Sequence, residues 1–334
     1  MRTLLSALAF LLTATVAQAA CTGPDAFKLL PEATQTDLRT RAAQAPYSQG
    51  ILWQVEKNGV TSTLVGTLHI ADPVHARTMA ALKTRITPPE QVFLELTTQS
   101  QTAFQRHLAD NPGVYLIEQG DSLIDILGAP HWKTMSAELQ KRGLPPFMAA
   151  RYQPWFLGLT LMMPPCAMAD LTAGKKGLDH QIEAFADDAQ IPTQSLDSIN
   201  GLLDILASDP LEKQVEELLW SLELDLYEDT TSQTPAMIAL YTAEDIQLIW
   251  ELSRHQTLSR AKDDSTAREL ATLMAVVEAD LIAKRNHQWA EHLIPALEKT
   301  PSLVAVGALH LPGDTGLLRL LENAGYSITR LPLR

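Results

Sequence analysis

The sequence is poor in cysteine, and this scarcity excludes several kinds of site. Only Cys21 and Cys166 are present. Two cysteines are too few for a disulfide-rich scaffold or a four-cysteine zinc site, and their spacing is not that of a Cys-x-x-Cys redox motif. Two thiols can still pair in an oxidising compartment, where a crosslink closing a loop of about 145 residues would stabilise the fold by several kcal/mol. We therefore keep a Cys21–Cys166 disulfide and two free thiols as alternatives.

Basic residues are also scarce. The chain has 26 Lys and Arg against 39 Asp and Glu, a formal net charge of −13. Nucleic acids and anionic membrane surfaces attract basic patches, so this balance argues against both as partners. After the N-terminal segment, the longest apolar run, residues 155–163, is much shorter than the roughly 20 residues that span a bilayer. We predict no transmembrane segment in the mature chain.

Familiar catalytic motifs are missing as well. The sequence contains no H-E-x-x-H, no G-x-S-x-G and no glycine-rich phosphate loop. The chain therefore lacks the common sequence signatures of zinc peptidases, serine hydrolases and nucleotide-binding proteins. The candidate chemistry therefore rests on scattered histidines and carboxylates.

The N-terminus has the three parts of a signal peptide. Arg2 supplies a positive charge, residues 4–16 form an apolar run, and an Ala-Gln-Ala cleavage site follows. We predict that residues 1–19 are a cleaved signal peptide and that the mature protein is periplasmic or secreted. Cys21 would carry the lipid if the chain were a lipoprotein. Gln18, however, stands where lipoprotein processing prefers an apolar residue, which favours a soluble product.

Periodicity predicts strands towards both ends of the chain and helices between them. The predicted strands are residues 51–57, 60–65, 91–96, 302–306 and 327–331. The predicted helices are residues 73–86, 98–109, 132–141, 145–163, 178–188, 211–226, 243–254, 265–297 and 315–324. Asn58 and Gly59, between the first two strands, indicate a hairpin. We predict an α/β fold in which the N- and C-terminal strands form one mixed sheet around a large central helical region. Residues 20–334 would form a single domain with a helical excursion at about residues 200–283.

One six-residue pattern occurs twice. Residues 65–70 (VGTLHI) and 306–311 (VGALHL) both read V-G-x-L-H-[IL], and each follows an apolar strand. Glycine permits a tight bend or close packing where a strand ends. His69 and His310 would then lie at the mouth of the sheet, where open α/β sheets bind ligands. The alternative is that each histidine is a hydrogen-bonded residue at a strand end.

Glu95 interrupts the apolar run 92–96 (VFLEL) of a predicted central strand. A buried carboxylate is costly unless it is paired, hydrogen-bonded or bound to a metal. Unless Glu95 faces solvent at the strand end, it forms a His-Glu-His set with His69 and His310. This donor set suits a divalent ion such as zinc, manganese or cobalt.

Arg285 and Asn286 are further candidates. Aimed at the mouth of the sheet, they could bind a carboxylate or stabilise an oxyanion; otherwise they are a solvated pair on a helix surface. Asp179 and Asp197 are weaker candidates, and Asp197 could equally cap the following helix, as an Asp that precedes an apolar periodic run commonly does.

Four segments together resemble the TraB/GumN family, whose relatives include the eukaryotic Tiki proteins, metal-dependent membrane-anchored proteases. These segments are residues 66–69 (GTLH), 93–96 (FLEL), 285–289 (RNHQW) and 306–326 (VGALHLPGDTGLLRLLENAGY). The similarity extends from about residue 52 to the C-terminus.

The resemblance implies a mixed α/β fold akin to the erythromycin esterase and ChaN haem-binding group. It also implies that His69, Glu95 and His310 are metal-ligating or catalytic, with Arg285 and Asn286 nearby. The chain departs from the family at residues 196–198, where Leu-Asp-Ser replaces an expected Leu-Glu-Thr.

The leading hypothesis is an exported metal-dependent hydrolase that acts on peptide bonds. Its His-Glu-His site would hold the ion, and Arg285 or Asn286 would stabilise the oxyanion. A metal-independent, esterase-like hydrolase with a histidine base is the first alternative. A protein that binds haem or a metal ion without turnover is the second. The substrate would be a peptide or another small molecule.

Overall fold

The computed structural model describes residues 21–227 and 232–333. The predicted signal peptide lies outside these residues. Within them, no helix combines the length and the apolar character needed to cross a bilayer.

A six-stranded sheet forms the centre of the fold. Its strands are β1 (Leu52–Lys57), β2 (Val60–Thr67), β3 (Gln91–Leu94), β4 (Thr193–Ser195), β5 (Ser302–Gly307) and β6 (Ser327–Arg330). The spatial order is β4-β3-β5-β2-β1-β6. β1 is antiparallel to β2 and β6, whereas β2, β5, β3 and β4 pair in parallel. The prediction of an α/β fold with a mixed sheet built from strands of both chain ends is confirmed.

Helices occupy most of the remaining chain. Before β4 they are α1 (Glu32–Ala42), α2 (His75–Thr84), α3 (Thr98–Asp110), α4 (Leu123–Lys141), α5 (Pro146–Ala149), α6 (Pro154–Met162), α7 (Pro165–Thr172) and α8 (Leu178–Asp188). After β4 they are α9 (Ile199–Leu206), α10 (Leu211–Glu223), α11 (Gln233–Thr242), α12 (Ile246–Leu258), α13 (Asp264–Val277), α14 (Lys284–Leu297) and α15 (Leu317–Asn323). A π-helical turn, Glu278–Ala283, joins α13 to α14.

Both faces of the sheet are buried, as the alternation along β5 shows. Leu303 and Ala305 belong to a core shared with α1, α8, α11 and α12, whereas Val304 and Val306 belong to a core shared with α14 and α15. Side chains that alternate between two apolar layers explain why residues 303–306 of β5 are continuously hydrophobic. A third apolar cluster joins α4, α5, α6 and α10 without any strand.

Local differences from the predicted elements have identifiable causes. The predicted helix at residues 145–163 is two helices, because Pro154 begins α6 and leaves Gln153 extended, with ψ of 146°. β4 was not predicted, since it has only three residues. The Asn58–Gly59 hairpin is confirmed: both residues have positive φ, 54° and 81°, as a type I′ turn requires.

Cys21 and Cys166 form a disulfide that links the start of the described chain to α7. Of the two alternatives for the thiols, the structure therefore contains the crosslink. A structural disulfide is typical of oxidising compartments, which agrees with the predicted export.

Reduction of this disulfide should lower the free energy of unfolding by about 2–5 kcal/mol, because the unfolded chain loses a constraint on a long loop. Urea titrations with and without reductant measure the effect. A Cys21→Ser/Cys166→Ser double variant should match the reduced protein and be insensitive to reductant. Two free thiols in the mass of the oxidised protein would contradict the crosslink.

Candidate functional site

The two V-G-x-L-H segments meet at one edge of the sheet. β2 and β5 are adjacent and parallel, with Gly66 opposite Val306 and Thr67 opposite Gly307. His69 and His310 therefore follow the ends of neighbouring strands. Glu95 directly follows β3, the other neighbour of β5, so the three candidate ligands come together at this edge.

The glycines of the two segments allow this close approach. A Cβ on Gly66 would lie 2.9 Å from the Cα of Ala308, and one on Gly307 would lie 3.0 Å from Oε1 of Glu95. Gly66 thus lets the two segments pack backbone to backbone. Gly307 leaves space for the carboxylate and also donates its N–H to Oε1 of Glu95 at 2.6 Å.

Glu95 is a largely buried, fully partnered carboxylate. Its Oε2 accepts a hydrogen bond from Nη2 of Arg285 at 2.5 Å, while Oε1 binds the Gly307 N–H. Burial alone would raise the pKa of Glu95, but the positive charge that His310 carries in acid, the charges of Arg285 and His69, and the Gly307 N–H favour the ionised form and lower this pKa to about 2. The side chain is therefore an anion at any physiological pH.

Arg285 is fixed by two carboxylates and an aromatic ring. Its Nη2 also donates to Oδ2 of Asp197 at 2.6 Å, and its guanidinium stacks 4.6 Å from the ring centre of Trp289. Trp289 donates its indole N–H to Oδ1 of the same aspartate at 2.8 Å. The guanidinium is thus held rigidly beside Glu95, with its charge compensated on both sides.

The tautomer of His310 follows from Asn286. The amide nitrogen of Asn286 donates to the carbonyl oxygens of His310 and Thr315, at 3.1 and 2.9 Å. Its Oδ1 is therefore the acceptor in the 2.7 Å contact with Nδ1 of His310. Neutral His310 thus carries its proton on Nδ1, and Nε2 presents a lone pair 3.9 Å from Oε1 of Glu95 and 3.3 Å from Nη1 of Arg285.

His310 is neutral at physiological pH. Burial lowers the pKa of its imidazole, the charge of Arg285 adds to this effect, and together they outweigh the charge of Glu95, giving a pKa of about 4. The ring also packs against Trp289, with 4.4 Å between the ring centroids.

His69 is the exposed member of the site, with 58% of its side chain accessible. Its Nδ1 lies 3.3 Å from Oδ1 of Asp179, and its Nε2 lies 3.9 Å from Oε1 of Glu95. Desolvation opposes the charged form, but the contact with Asp179 and the charge of Glu95 outweigh it and raise the pKa of His69 to about 9. Asp179 reaches His69 because α8 begins against this loop, where the Leu178 N–H binds the carbonyl of Leu68.

The chemistry of these donors fits a divalent ion. Each histidine has its Nδ1 next to a side-chain acceptor and turns its Nε2 towards Glu95, an arrangement typical of metal-ligating imidazoles. Donors at tetrahedral positions about 2 Å from an ion lie roughly 3.4 Å apart, so the two 3.9 Å separations must shorten slightly. As the side chains stand, no group of three or more His, Cys, Asp and Glu residues within 21–227 and 232–333 is placed to hold a metal ion.

The structure also shows partners that the sequence did not indicate. Asp197 binds Arg285 and Trp289, while α9 is capped by Ser198, whose side chain accepts the N–H of Gly201 at 3.0 Å. Arg285 and Asn286 are not a solvated pair on a helix surface; Asn286 is fully buried. No sequence motif indicated a role for Trp289, although its spacing of four residues from Arg285 places both on one face of α14.

The chain was also compared with known proteins. The model of the TraB/PrgY/gumN family matches residues 51–330. No curated protein and no solved structure matches the chain.

In the metal-free protein, we expect His310 to remain the neutral Nδ1–H tautomer down to about pH 4 and His69 to stay protonated up to about pH 9. Long-range proton–nitrogen NMR of ¹⁵N-histidine-labelled protein reports both properties. His69→Ala and His310→Ala variants assign the two signals. An Nε2–H tautomer of His310 at pH 7 would contradict the hydrogen-bond assignment through Asn286.

Proposed function

The chain belongs to the TraB/PrgY/gumN family, and we propose that it is an exported metal-dependent hydrolase that cleaves peptide bonds. One observation carries the proposal. The Nε2 atoms of His69 and His310 both lie 3.9 Å from the same oxygen of Glu95, and each ring has its other nitrogen beside an acceptor. Such pre-oriented imidazoles next to a carboxylate favour a metal centre.

His69, Glu95 and His310 would hold the ion. When bound, a zinc, manganese or cobalt ion lowers the pKa of a water molecule and polarises a carbonyl group. Gly307 fixes one oxygen of Glu95 through its N–H, and Arg285 fixes the other. The carboxylate is therefore oriented before a substrate arrives.

Arg285 is the proposed stabiliser of negative charge on the substrate. Its Nη1 donates a hydrogen bond to the carbonyl of Leu281 at 3.1 Å and lies 3.3 Å from Nε2 of His310. Once the His310 lone pair is used for ligation, this N–H group becomes available to an oxyanion. Asn286 has no such freedom, since its amide is fully engaged with His310 and Thr315. We therefore give Asn286 the role of positioning His310.

A metal-independent hydrolase is the second candidate, and the opposite pKa shifts of the two histidines favour it. His69, with a pKa of about 9, would act as an acid, and His310, with a pKa of about 4, as a base. Titratable groups whose environments separate their pKa values are typical of acid–base pairs.

Metal content and peptidase activity, measured together, test the main proposal. Wild-type protein purified without chelators should contain one divalent ion per chain by elemental analysis and should cleave members of a peptide library. His69→Ala and His310→Ala should lose both properties. His292→Ala, an exposed histidine on α14, is the matched control and should retain both.

The other outcomes discriminate between the candidates. Activity that persists in chelator but disappears in the two site variants supports the metal-independent hydrolase. Equal activity in wild type, His69→Ala and His310→Ala refutes both hydrolase mechanisms. A Soret band on haem titration, without hydrolysis, supports a binding protein.

Asp179→Asn should lower the metal affinity about tenfold to a hundredfold, because it weakens the partner that orients a proposed ligand. Asp187→Asn, at the exposed end of the same helix α8, is the control and should bind metal like the wild type. Competition with a fluorescent chelator gives both affinities. Equal metal affinities of the two variants would show that Asp179 does not orient a metal ligand.

A further inference from the structure

A groove of about 1200 Å³ lies among α6, α9, α10, α13 and the π-helical turn. Its volume exceeds the roughly 300–1,000 Å³ of a pocket for one small molecule. None of the residues assigned to the metal or to catalysis lines it. Its extent suits a segment of extended chain.

One wall of the groove contacts the candidate active site. Leu281 and Lys284 line the groove, and the carbonyl of Leu281 accepts a hydrogen bond from Nη1 of Arg285 at 3.1 Å. On another side, Asp204 lines the groove from α9, the helix that begins two residues after Asp197. A residue of the groove wall therefore lies one helical turn from Arg285, whose guanidinium contacts Glu95.

The groove also exposes apolar side chains to solvent. Leu159, Met162 and Val276 all line it, and they are 39%, 67% and 50% exposed. Contiguous exposed apolar surface bordered by polar residues is typical of a binding site. These side chains would gain most from apolar residues of a partner.

The charged residues of the groove are mostly acidic. Among the described residues, its lining includes six carboxylates and three basic side chains. One of the basic residues, Lys213, is already paired with Asp209 at 2.8 Å. Asp204, Glu216 and Asp280 form no ion pair within the described part of the chain, and they outnumber the two remaining basic residues of the lining, so the groove presents an excess of negative charge to a positively charged ligand.

We propose that this groove is a substrate cleft that binds extended peptide segments carrying both apolar and basic side chains. The basic side chains would lie along the carboxylates, and the apolar ones would cover Leu159, Met162 and Val276. This assignment rests on the proposed peptidase function, because it gives that site its substrate class. Binding itself requires no turnover and is tested separately.

The first experiment measures binding in the His69→Ala background, where a peptide substrate stays intact. A fluorescein-labelled peptide of alternating leucine and lysine is titrated and its anisotropy recorded. An otherwise identical leucine–glutamate peptide tests charge, and a glycine–lysine peptide tests apolar contact. We expect the leucine–lysine peptide to bind at least about tenfold more tightly than either, and its affinity to fall with added salt.

Matched variants locate the binding surface. Glu216→Lys should weaken binding about fivefold to tenfold, whereas Glu212→Lys, one turn earlier on α10 and outside the groove, should leave it unchanged. Met162→Gln should weaken binding, whereas Met148→Gln, another exposed methionine outside the groove, should not. Equal affinities within each matched pair would overturn the proposal.

Steady-state cleavage of the same peptide separates this proposal from the function itself. If both hold, Glu216→Lys in the otherwise wild-type chain raises KM and leaves kcat unchanged, because it weakens binding away from the reacting groups. If the peptide binds with the expected pattern among the variants but is not cleaved, the proposed binding groove is supported and the peptidase function is overturned. If the peptide is cleaved with the same KM by Glu216→Lys and Glu212→Lys, the peptidase function is supported and the proposal that the groove binds the substrate is overturned. Light scattering tests whether two copies of the chain associate across the groove. If such association prevents peptide binding, the proposal is also overturned.

Discussion

A carboxylate withdrawn from water needs compensating partners, and Glu95 obtains them from three separate parts of the chain. The Gly307 N–H comes from the end of β5, the guanidinium of Arg285 from α14, and the protonated imidazole of His69 from the loop after β2. Each contact joins the end of one element to the end of another. The side chain of Glu95 therefore fixes α14 against the edge of the sheet. The remaining features of the site follow from the ion pair between Glu95 and Arg285. Arg285 must stay beside Glu95, and Asp197 and Trp289 hold it there.

Charge balance connects this network to the proposed metal. The carboxylates of Glu95 and Asp197 flank a single guanidinium, and the carboxylate of Asp179 lies beside His69. In the metal-free site, part of the excess negative charge is neutralised by a proton on His69, whose pKa is raised to about 9. A divalent cation would compensate the same charge and would compete with that proton, since only neutral imidazole ligates a metal. His310 needs no such competition, because its pKa of about 4 already leaves Nε2 unprotonated.

The sequence predicted the features that depend on local patterns. Asn58 and Gly59 specify the hairpin, and the repeated V-G-x-L-H segments indicated two histidines delivered by neighbouring strand ends. The sequence could not predict Asp197 as a partner of Arg285, because this contact depends on how α14 is rotated against the loop after β4. Nor could it predict β4, whose three residues carry no hydrophobic alternation. Hydrophobic periodicity identifies elements and their buried faces, but polar contacts across element ends require the packed structure.

The π-helical turn and the disulfide show how the helical region is adapted to this site. The extra residue of a π turn changes the face that a helix presents, and such turns occur frequently at functional sites. Glu278–Ala283 lies where α13, a wall of the groove, becomes α14, which carries Arg285 and Asn286. On the other side, α6 forms part of the groove, and the disulfide at Cys166 fixes the start of α7 directly after it. Both cysteines are consumed in this crosslink, and the proposed chemistry uses imidazole and carboxylate alone. In an oxidising compartment the disulfide would therefore stabilise the groove wall, and the imidazoles and carboxylates of the candidate site would not be oxidised.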